Sequence, residues 1–150
     1  MSGIAQARVL ALLVPAALLA GAYVSQYVFG LYPCEMCWWQ RYPHFAALGF
    51  ALVSFVAVPR RVWAALAGLA VMTSGLIGAF HAGVEYGWWQ GITGCAAAPG
   101  SVDVLDISAA PLIRCDVAPW TLLGISLAGW NFLVSTIGGG AIVALAAYRK

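Results

Sequence analysis

The sequence predicts an all-α membrane protein: a bundle of four transmembrane helices with one long polar loop between the third and the fourth. Three observations carry this. Hydrophobic residues make up 63% of the 150 residues and charged residues 8%. A soluble domain carries about 25% charged residues, so this chain has too few to cover a water-exposed surface. Apolar runs near the length of a bilayer crossing recur four times, and the positive residues fall at alternate ends of those runs. The chain therefore reads as a single integral membrane domain over residues 1–150, with the lipid bilayer as its first partner. Net charge is +2 without a clustered positive patch, which gives no support for a nucleic-acid partner. Many of the seven Trp and six Tyr lie where spans should meet water, as an interfacial aromatic belt requires.

The first span is expected over about 9–29. Val9 to Val28 follows Arg8 and is long enough to cross a hydrocarbon core of about 30 Å. A cleavable signal peptide is the competing reading, because Ala20-Gly21-Ala22 has the A-x-A form. The apolar character continues to Phe29, which favours an uncleaved span. A loop over about 30–41 follows, with Cys34 and Cys37 in it. The second span is expected over about 42–58. Pro43 to Val58 is short at about 1.5 Å per residue, so the helix is expected to begin near Trp38, with Pro43 in its first turn. Pro59-Arg60-Arg61 ends it. The third span covers about 62–82, and its helix runs on toward Tyr86. Gly83 and Gly87 suit either close helix packing or a helix end.

The long loop, about 87–120, holds Cys95, Cys115, Asp103, Asp106 and Asp116. A loop of this length is usually functional or disordered. Ser101 to Ala110 is the one place in it for a short interfacial helix. Trp120 onward reads as an interfacial lead-in to a fourth span over about 127–148, which Gly138-Gly139-Gly140 should weaken or bend. Arg8, Arg60, Arg61, Arg149 and Lys150 lie at one set of span ends, against Arg41 and Arg114 at the other. The positive-inside rule makes the first set cytoplasmic, with both termini inside. All four cysteines then fall on the non-cytoplasmic side, where disulfides persist.

Cys34 and Cys37 form a C-x-x-C pair with Arg41 four residues beyond. Only a thiolate attacks a disulfide, and helix N-termini and nearby cations lower a thiol pKa. With the helix starting just after it and Arg41 one turn on, Cys37 is expected to be the stabilised thiolate. A static disulfide or half a metal site is the plainer reading of a bare C-x-x-C. Cys95 and Cys115, 20 residues apart in the long loop, read as a structural disulfide, as half of a four-cysteine zinc cage, or as a second exchanging pair. The missing C-x-x-C spacing disfavours zinc, and no metal is expected. Arg41 near the membrane boundary is either functional or snorkelling. His81 at the outer end of the third span is a candidate hydrogen-bond donor to a ligand, and Glu85 one turn on either orients it or faces water. His44 shows no partner in the sequence. Arg114 beside Cys115 and Asp116 either tunes that thiol or solvates the loop.

The stretch Pro33-Cys34-Glu35-Met36-Cys37-Trp38-Trp39-Gln40-Arg41, with its P-C-x-x-C-x-x-Q-R form, resembles the disulfide bond formation protein B family of bacterial inner-membrane thiol oxidases. His81 with Gly83 and Glu85, Arg114-Cys115-Asp116, and Pro119-Trp120 before Leu122-Leu123-Gly124 resemble further positions of that family. The resemblance implies four spans in the inner membrane with a long periplasmic loop, and a direction of flow. A periplasmic thioredoxin-fold oxidase of the DsbA type arrives reduced, and its thiolate attacks a Cys95–Cys115 disulfide with Cys95 as the mixed-disulfide partner. Cys115 exchanges with Cys34. Cys37, released as thiolate, passes electrons to a bound quinone, ubiquinone or menaquinone, as a charge-transfer complex stabilised by Arg41, with His81 close to the ring. Quinone also suits the chemistry, since a dithiol in a membrane needs a membrane-soluble acceptor. Glu35 between the thiols opposes thiolate formation, Met36 stands where Leu is more usual, and the fourth segment is long and glycine-rich.

Two rival classes remain at the level of sequence. A paralogue serving a dedicated partner would look much the same. A structural membrane protein with static disulfides would need no Arg41 beside the C-x-x-C and would bind no quinone. An outward carrier of electrons would favour cysteines within the spans, and a transporter would favour ionisable groups away from the span ends.

Overall fold

The structure, a computed structural model, describes residues 2–93 and 114–148. Cys95 and the stretch 101–110, expected as a short helix, lie outside the described residues. Four helices make the fold: α1 (Gly3–Tyr27), α2 (Glu35–Val56), α3 (Arg60–Glu85) and α4 (Leu127–Ala147). Among the described residues α1, α3 and α4 are long and apolar enough to cross a membrane. At 22 residues α2 has the length, but Glu35, Gln40, Arg41 and His44 break the apolar character of its first half.

The start of α2 departs from expectation. It begins at Glu35 rather than near Trp38, so the C-x-x-C lies in the helix's first turn. Cys34 is the N-cap, with extended backbone, and its sulfur accepts the Cys37 amide N–H at 3.2 Å. That bond satisfies one of the helix's otherwise unpartnered N–H groups. Glu35 in the first turn adds a favourable charge at the positive end of the helix dipole. Pro43 consequently lies inside the helix, not in its first turn.

Helix α3 packs most extensively against α4 and α2, and α1 lies across α4 and α2. The α3–α4 seam is made of small residues. A Cβ added to Gly139 would lie 2.6 Å from Met72 Cγ and 2.7 Å from the Gly68 carbonyl oxygen. A Cβ added to Gly75 or Gly78 would lie 2.9 Å from Thr136 Oγ1 or the Ala128 carbonyl oxygen. Between helices in lipid, backbone approach and van der Waals contact replace the hydrophobic drive, so small residues mark the interfaces. The Gly138-Gly139-Gly140 run thus does not break α4, which is continuous across it. On α1 the buried residues Ala7, Ala11, Pro15 and Leu19 recur every fourth position, one face of a helix.

The two glycines after the third span have separate roles. Gly87, at φ 72°, ends α3 in a left-handed conformation, with the Trp88 amide bonded back to the Gly83 carbonyl at 2.8 Å. The nearest atoms to a Cβ at Gly83 all belong to Trp89. The glycine leaves room for the Trp89 indole, which stacks on Phe80 and donates Nε1–H to the Phe80 carbonyl.

The lead-in to α4 is a small hairpin the sequence did not suggest. β1 (Thr121–Leu122) pairs antiparallel with β2 (Ile125–Ser126), Thr121 opposite Ser126. Leu123 and Gly124 both have positive φ, at 55° and 77°, the pattern of a two-residue hairpin turn. Tyr86 Oη donates to the Gly124 carbonyl at 3.1 Å and accepts the Ser126 N–H at 3.0 Å, which ties the end of α3 to the hairpin. Ser126 Oγ then caps α4 by accepting the Gly129 N–H. At the opposite end of the bundle Arg61 donates to the carbonyls of Ala146 and Tyr148, at the C-terminus of α4, and Arg8 stacks on Phe55.

Candidate functional site

The N-terminal turn of α2 brings two free thiols together. The Cys34 and Cys37 sulfurs are 2.7 Å apart, with Cys34 buried and Cys37 half-buried. A disulfide bond is about 2.05 Å long, so the two sulfurs already lie near bonding distance. The Cys34 thiol is pulled down to about 5, first by the hydrogen bond from the Cys37 thiol, then by His81 and the Cys37 amide, against the raising effect of burial. The Cys37 amide and the His81 ring both face the Cys34 sulfur, so the pair favours the thiolate at Cys34. The sequence expected the thiolate at Cys37; the earlier helix start puts Cys34 at the N-cap, where helix N–H and dipole converge.

His81, at the outer end of α3, completes the cluster. Its Nε2 is 3.6 Å from the Cys34 sulfur and 3.8 Å from Glu85 Oε1. Its other nitrogen, Nδ1, is 2.8 Å from Gln40 Nε2. The side chains of His81 and Glu85 are 3% and 2% exposed, so Glu85 faces the site rather than water. Among the described residues Glu85 Oε2 has no hydrogen-bond partner. The thiol sulfurs and a His81 nitrogen lie within 4.8 Å of one another, the residue types of a zinc site. A four-thiolate cage is not formed, because Cys115 is disulfide-bonded.

From Gln40 a buried polar chain runs inward between α2, α3 and α4. Gln40 Oε1 accepts from Asn131 Nδ2 at 2.8 Å. Asn131 Nδ2 also donates to the Ser74 carbonyl at 3.2 Å, and its Oδ1 accepts from Ser135 and lies 3.0 Å from His44 Nε2. Ser74 Oγ donates to the Gln40 carbonyl and lies 2.9 Å from His44 Nε2. His44, partnerless in the sequence, is thus tied to α3 and α4. Asn131, Ser74 and the Gln40 side chain were not singled out from sequence. An Asn in an otherwise apolar fourth span was the signal available.

Arg41 is buried but does not turn toward the thiols. Its Nη1 donates to Gln26 Oε1 at 2.7 Å, its Nη2 to the Ala22 carbonyl at 3.3 Å, and the guanidinium lies 4.9 Å from the ring centroids of both Tyr23 and Trp38. It fastens α2 to the end of α1. Cys37, Arg41, His44, His81, Glu85 and Asn131 nonetheless share one cavity of about 250 Å³, whose far wall is the apolar face of α1 from Ala17 to Ala22. A mostly apolar pocket with a few convergent polar groups at one end is the usual form of a small-molecule site.

Cys115 is fully buried and packs in one apolar cluster with Cys34, Met36 and Val84, with Phe80 alongside. The long loop thus returns its second cysteine to the C-x-x-C. Thr93 donates to the Cys115 sulfur at 3.5 Å. Cys95 lies outside the described residues. Arg114 forms a two-pronged pair with Asp116 at 2.9 and 2.6 Å, which raises the one and lowers the other, and it lines a second opening beside Cys34, Cys37 and His81.

The sequence model of the family described as disulfide bond formation protein DsbB matches residues 5–146. A relative named disulfide bond formation protein B from Verminephrobacter eiseniae is 36% identical, covering 93% of this chain and 85% of its own length. Proteins of the same name from Polaromonas sp. (strain JS666) and Azoarcus sp. (strain BH72) are each 35% identical, over 95% and 87% of this chain. No solved structure matches the chain. The family match runs through all four helices, the C-x-x-C turn and the hairpin before α4, and the chain belongs to the disulfide bond formation protein DsbB family, as a multi-pass bacterial membrane protein of disulfide chemistry.

Proposed function

We propose that the chain is a quinone-dependent thiol oxidase of the bacterial inner membrane, reoxidising a periplasmic DsbA-like thioredoxin-fold oxidase. In this reading all four helices cross the membrane, the termini are cytoplasmic and the cysteines periplasmic. The observation that carries it is the cavity shared by Cys37, Arg41 and His81, which opens along the lipid-crossing helix α1 at the foot of a closable dithiol.

The residues fit a quinone headgroup. The walls from Ala17 to Ala22 are apolar, and Arg41, held by two hydrogen bonds, keeps further N–H donors among its five. A bound quinone, ubiquinone or menaquinone, supplies a two-electron acceptor. The chain's own part is to hold Cys34 as thiolate and Cys37 as thiol. When the Cys34–Cys37 bond closes, two electrons leave the pair and the one remaining thiol proton leaves Cys37. In the opposite half of the cycle the Cys95–Cys115 pair takes electrons from the partner dithiol, and Cys115, packed against Cys34, hands them on by thiol–disulfide exchange.

The test uses purified protein in detergent with a reduced thioredoxin-fold partner and ubiquinone. Quinone absorbance is followed against loss of partner thiols. One quinone reduced per dithiol oxidised, lost in Cys37→Ser, supports the reading. No turnover with either ubiquinone or menaquinone and with more than one partner would sink it.

A further inference from the structure

We propose that Gln40 and Asn131 are positioning residues that lock His81 as the neutral Nε2–H tautomer, so that His81 serves the Cys34 thiolate as a hydrogen-bond donor and not as a metal ligand. The proposal concerns the chain's own protons and deepens the thiol-oxidase reading, on which its purpose, though not its test, rests.

Two backbone carbonyls, which only accept, fix the donors and acceptors around them. The Ser74 carbonyl lies 3.2 Å from one terminal atom of the Asn131 amide, so that atom is the NH₂ group. The same NH₂ lies 2.8 Å from one terminal atom of Gln40, which must therefore be the carbonyl oxygen. The other Gln40 atom is then its NH₂, and the Met36 carbonyl 3.2 Å away independently requires this. Reversing either amide alone sets like atoms against each other. Reversing both still places oxygens against the carbonyls of Met36 and Ser74. In a buried site each such mismatch leaves polar groups unpaired.

With both Gln40 hydrogens assigned, one points at His81 Nδ1 at 2.8 Å. A protonated Nδ1 would oppose it, so Nδ1 is bare and the ring's proton is on Nε2. That nitrogen faces the Cys34 sulfur and Glu85. The charged or titratable groups around it are Cys34 and Cys37 at the start of α2, Glu85 on α3, and Arg114, which lines the same opening. Zinc would need the opposite arrangement, a lone pair on Nε2 and Nδ1–H donated to an acceptor. Gln40 supplies a donor where a metal site places an acceptor. His44 obeys the same logic. The Ser74 hydrogen goes to the Gln40 carbonyl and Asn131 Oδ1 accepts, so His44 Nε2 donates, while its Nδ1 has no partner among the described residues.

The chain has two histidines, and the proposal assigns both the same tautomer, so the spectrum needs no residue assignment. Nitrogen NMR of ¹⁵N-histidine-labelled, reduced protein in detergent at pH 7 should show two imidazoles with bare Nδ1 and protonated Nε2. In Gln40→Glu the new carboxylate accepts from Nδ1, and one imidazole should gain an Nδ1 proton while the other keeps its pattern. An Nδ1–H or doubly protonated ring in the native protein overturns the proposal, even if the variant fails to fold. Unchanged spectra in a folded Gln40→Glu also overturn it. If the native chain lacks quinone activity yet shows both Nε2–H rings, the oxidase reading fails and the tautomer lock stands.

Discussion

Cys34 and Cys37 differ by three positions and by almost everything that sets a thiol's acidity. Cys34 caps α2, accepts the Cys37 N–H and thiol, and faces His81. Its acidity at about 5 predicts that alkylation of the reduced protein falls only below about pH 5–6 and is flat to neutral. Cys34→Ser should remove that fast-reacting group, whereas a rate rising only above about pH 8, the ordinary thiol range, would refute the assignment. Between about pH 5 and 8.5 the unfolded thiol holds a proton that the folded one has lost, so the reduced protein should become more stable as pH rises through that window. Denaturation midpoints at pH 5.5 and 8 check this. Arg41 bridges α1 and α2 from a buried position, and Arg41→His keeps only part of its donor fork. Quinone reduction in that variant should fall by about tenfold, the equivalent of one charged hydrogen bond, with membrane insertion intact. Wild-type quinone titration by the variant would remove Arg41 from the site.

At the scale of the helix, glycine marks approach more than weakness. Gly139→Ala would press a methyl into Met72 and the Gly68 carbonyl, at 2.6 and 2.7 Å. Overpacking of this kind costs about 1–3 kcal/mol, and a thermal unfolding series should show it. Gly140→Ala, one position on, meets nothing within 4 Å and should be neutral or mildly stabilising, since alanine favours helix by about 1 kcal/mol over glycine. Equal destabilisation by both would mean that α4 is sensitive to helix flexibility and not to its contact with α3. The same spacing of glycines in sequence supports either outcome, because periodicity says which face a residue is on but not how near the neighbouring backbone comes.

Across the whole molecule, the charged end and the thiol end lie apart. Arg61 meets the C-terminus of α4 and Arg8 the Phe55 ring near the end of α2 at one end, while Cys34, His81 and the hairpin gather at the other. A membrane-impermeant thiol reagent applied to intact spheroplasts should label the reduced Cys34–Cys37 pair, and a cysteine introduced at Arg60 should react only after permeabilisation. The reverse pattern would invert the proposed topology. Asn131 ties α4 to α2 and α3 at once. Asn131→Leu would leave the Gln40 oxygen and His44 Nε2 short of a partner and should destabilise the bundle by about 1–3 kcal/mol, read as a lowered unfolding midpoint in detergent.

The membrane class, the number of helices and the pairing of Cys34 with Cys37 were legible in the sequence because they are local or compositional. A deficit of charge, apolar runs and a C-x-x-C spacing need no knowledge of what lies opposite. Pro119-Trp120 before Leu122-Leu123-Gly124 was visible as a motif, but a hairpin of two-residue strands carries too few residues for an alternating pattern. What only the tertiary structure decided is which partner each polar group meets. Arg41, near Cys37 in sequence, bonds instead to α1. Cys34, not Cys37, receives the helix N-terminus once the start of α2 is fixed at Glu35. Gln40, Ser74 and Asn131 lie 34 and 57 residues apart along the chain and join into one network. A hydrogen bond is a matter of a few tenths of an ångström and of direction, and neither is written in the order of residues until the helices are packed.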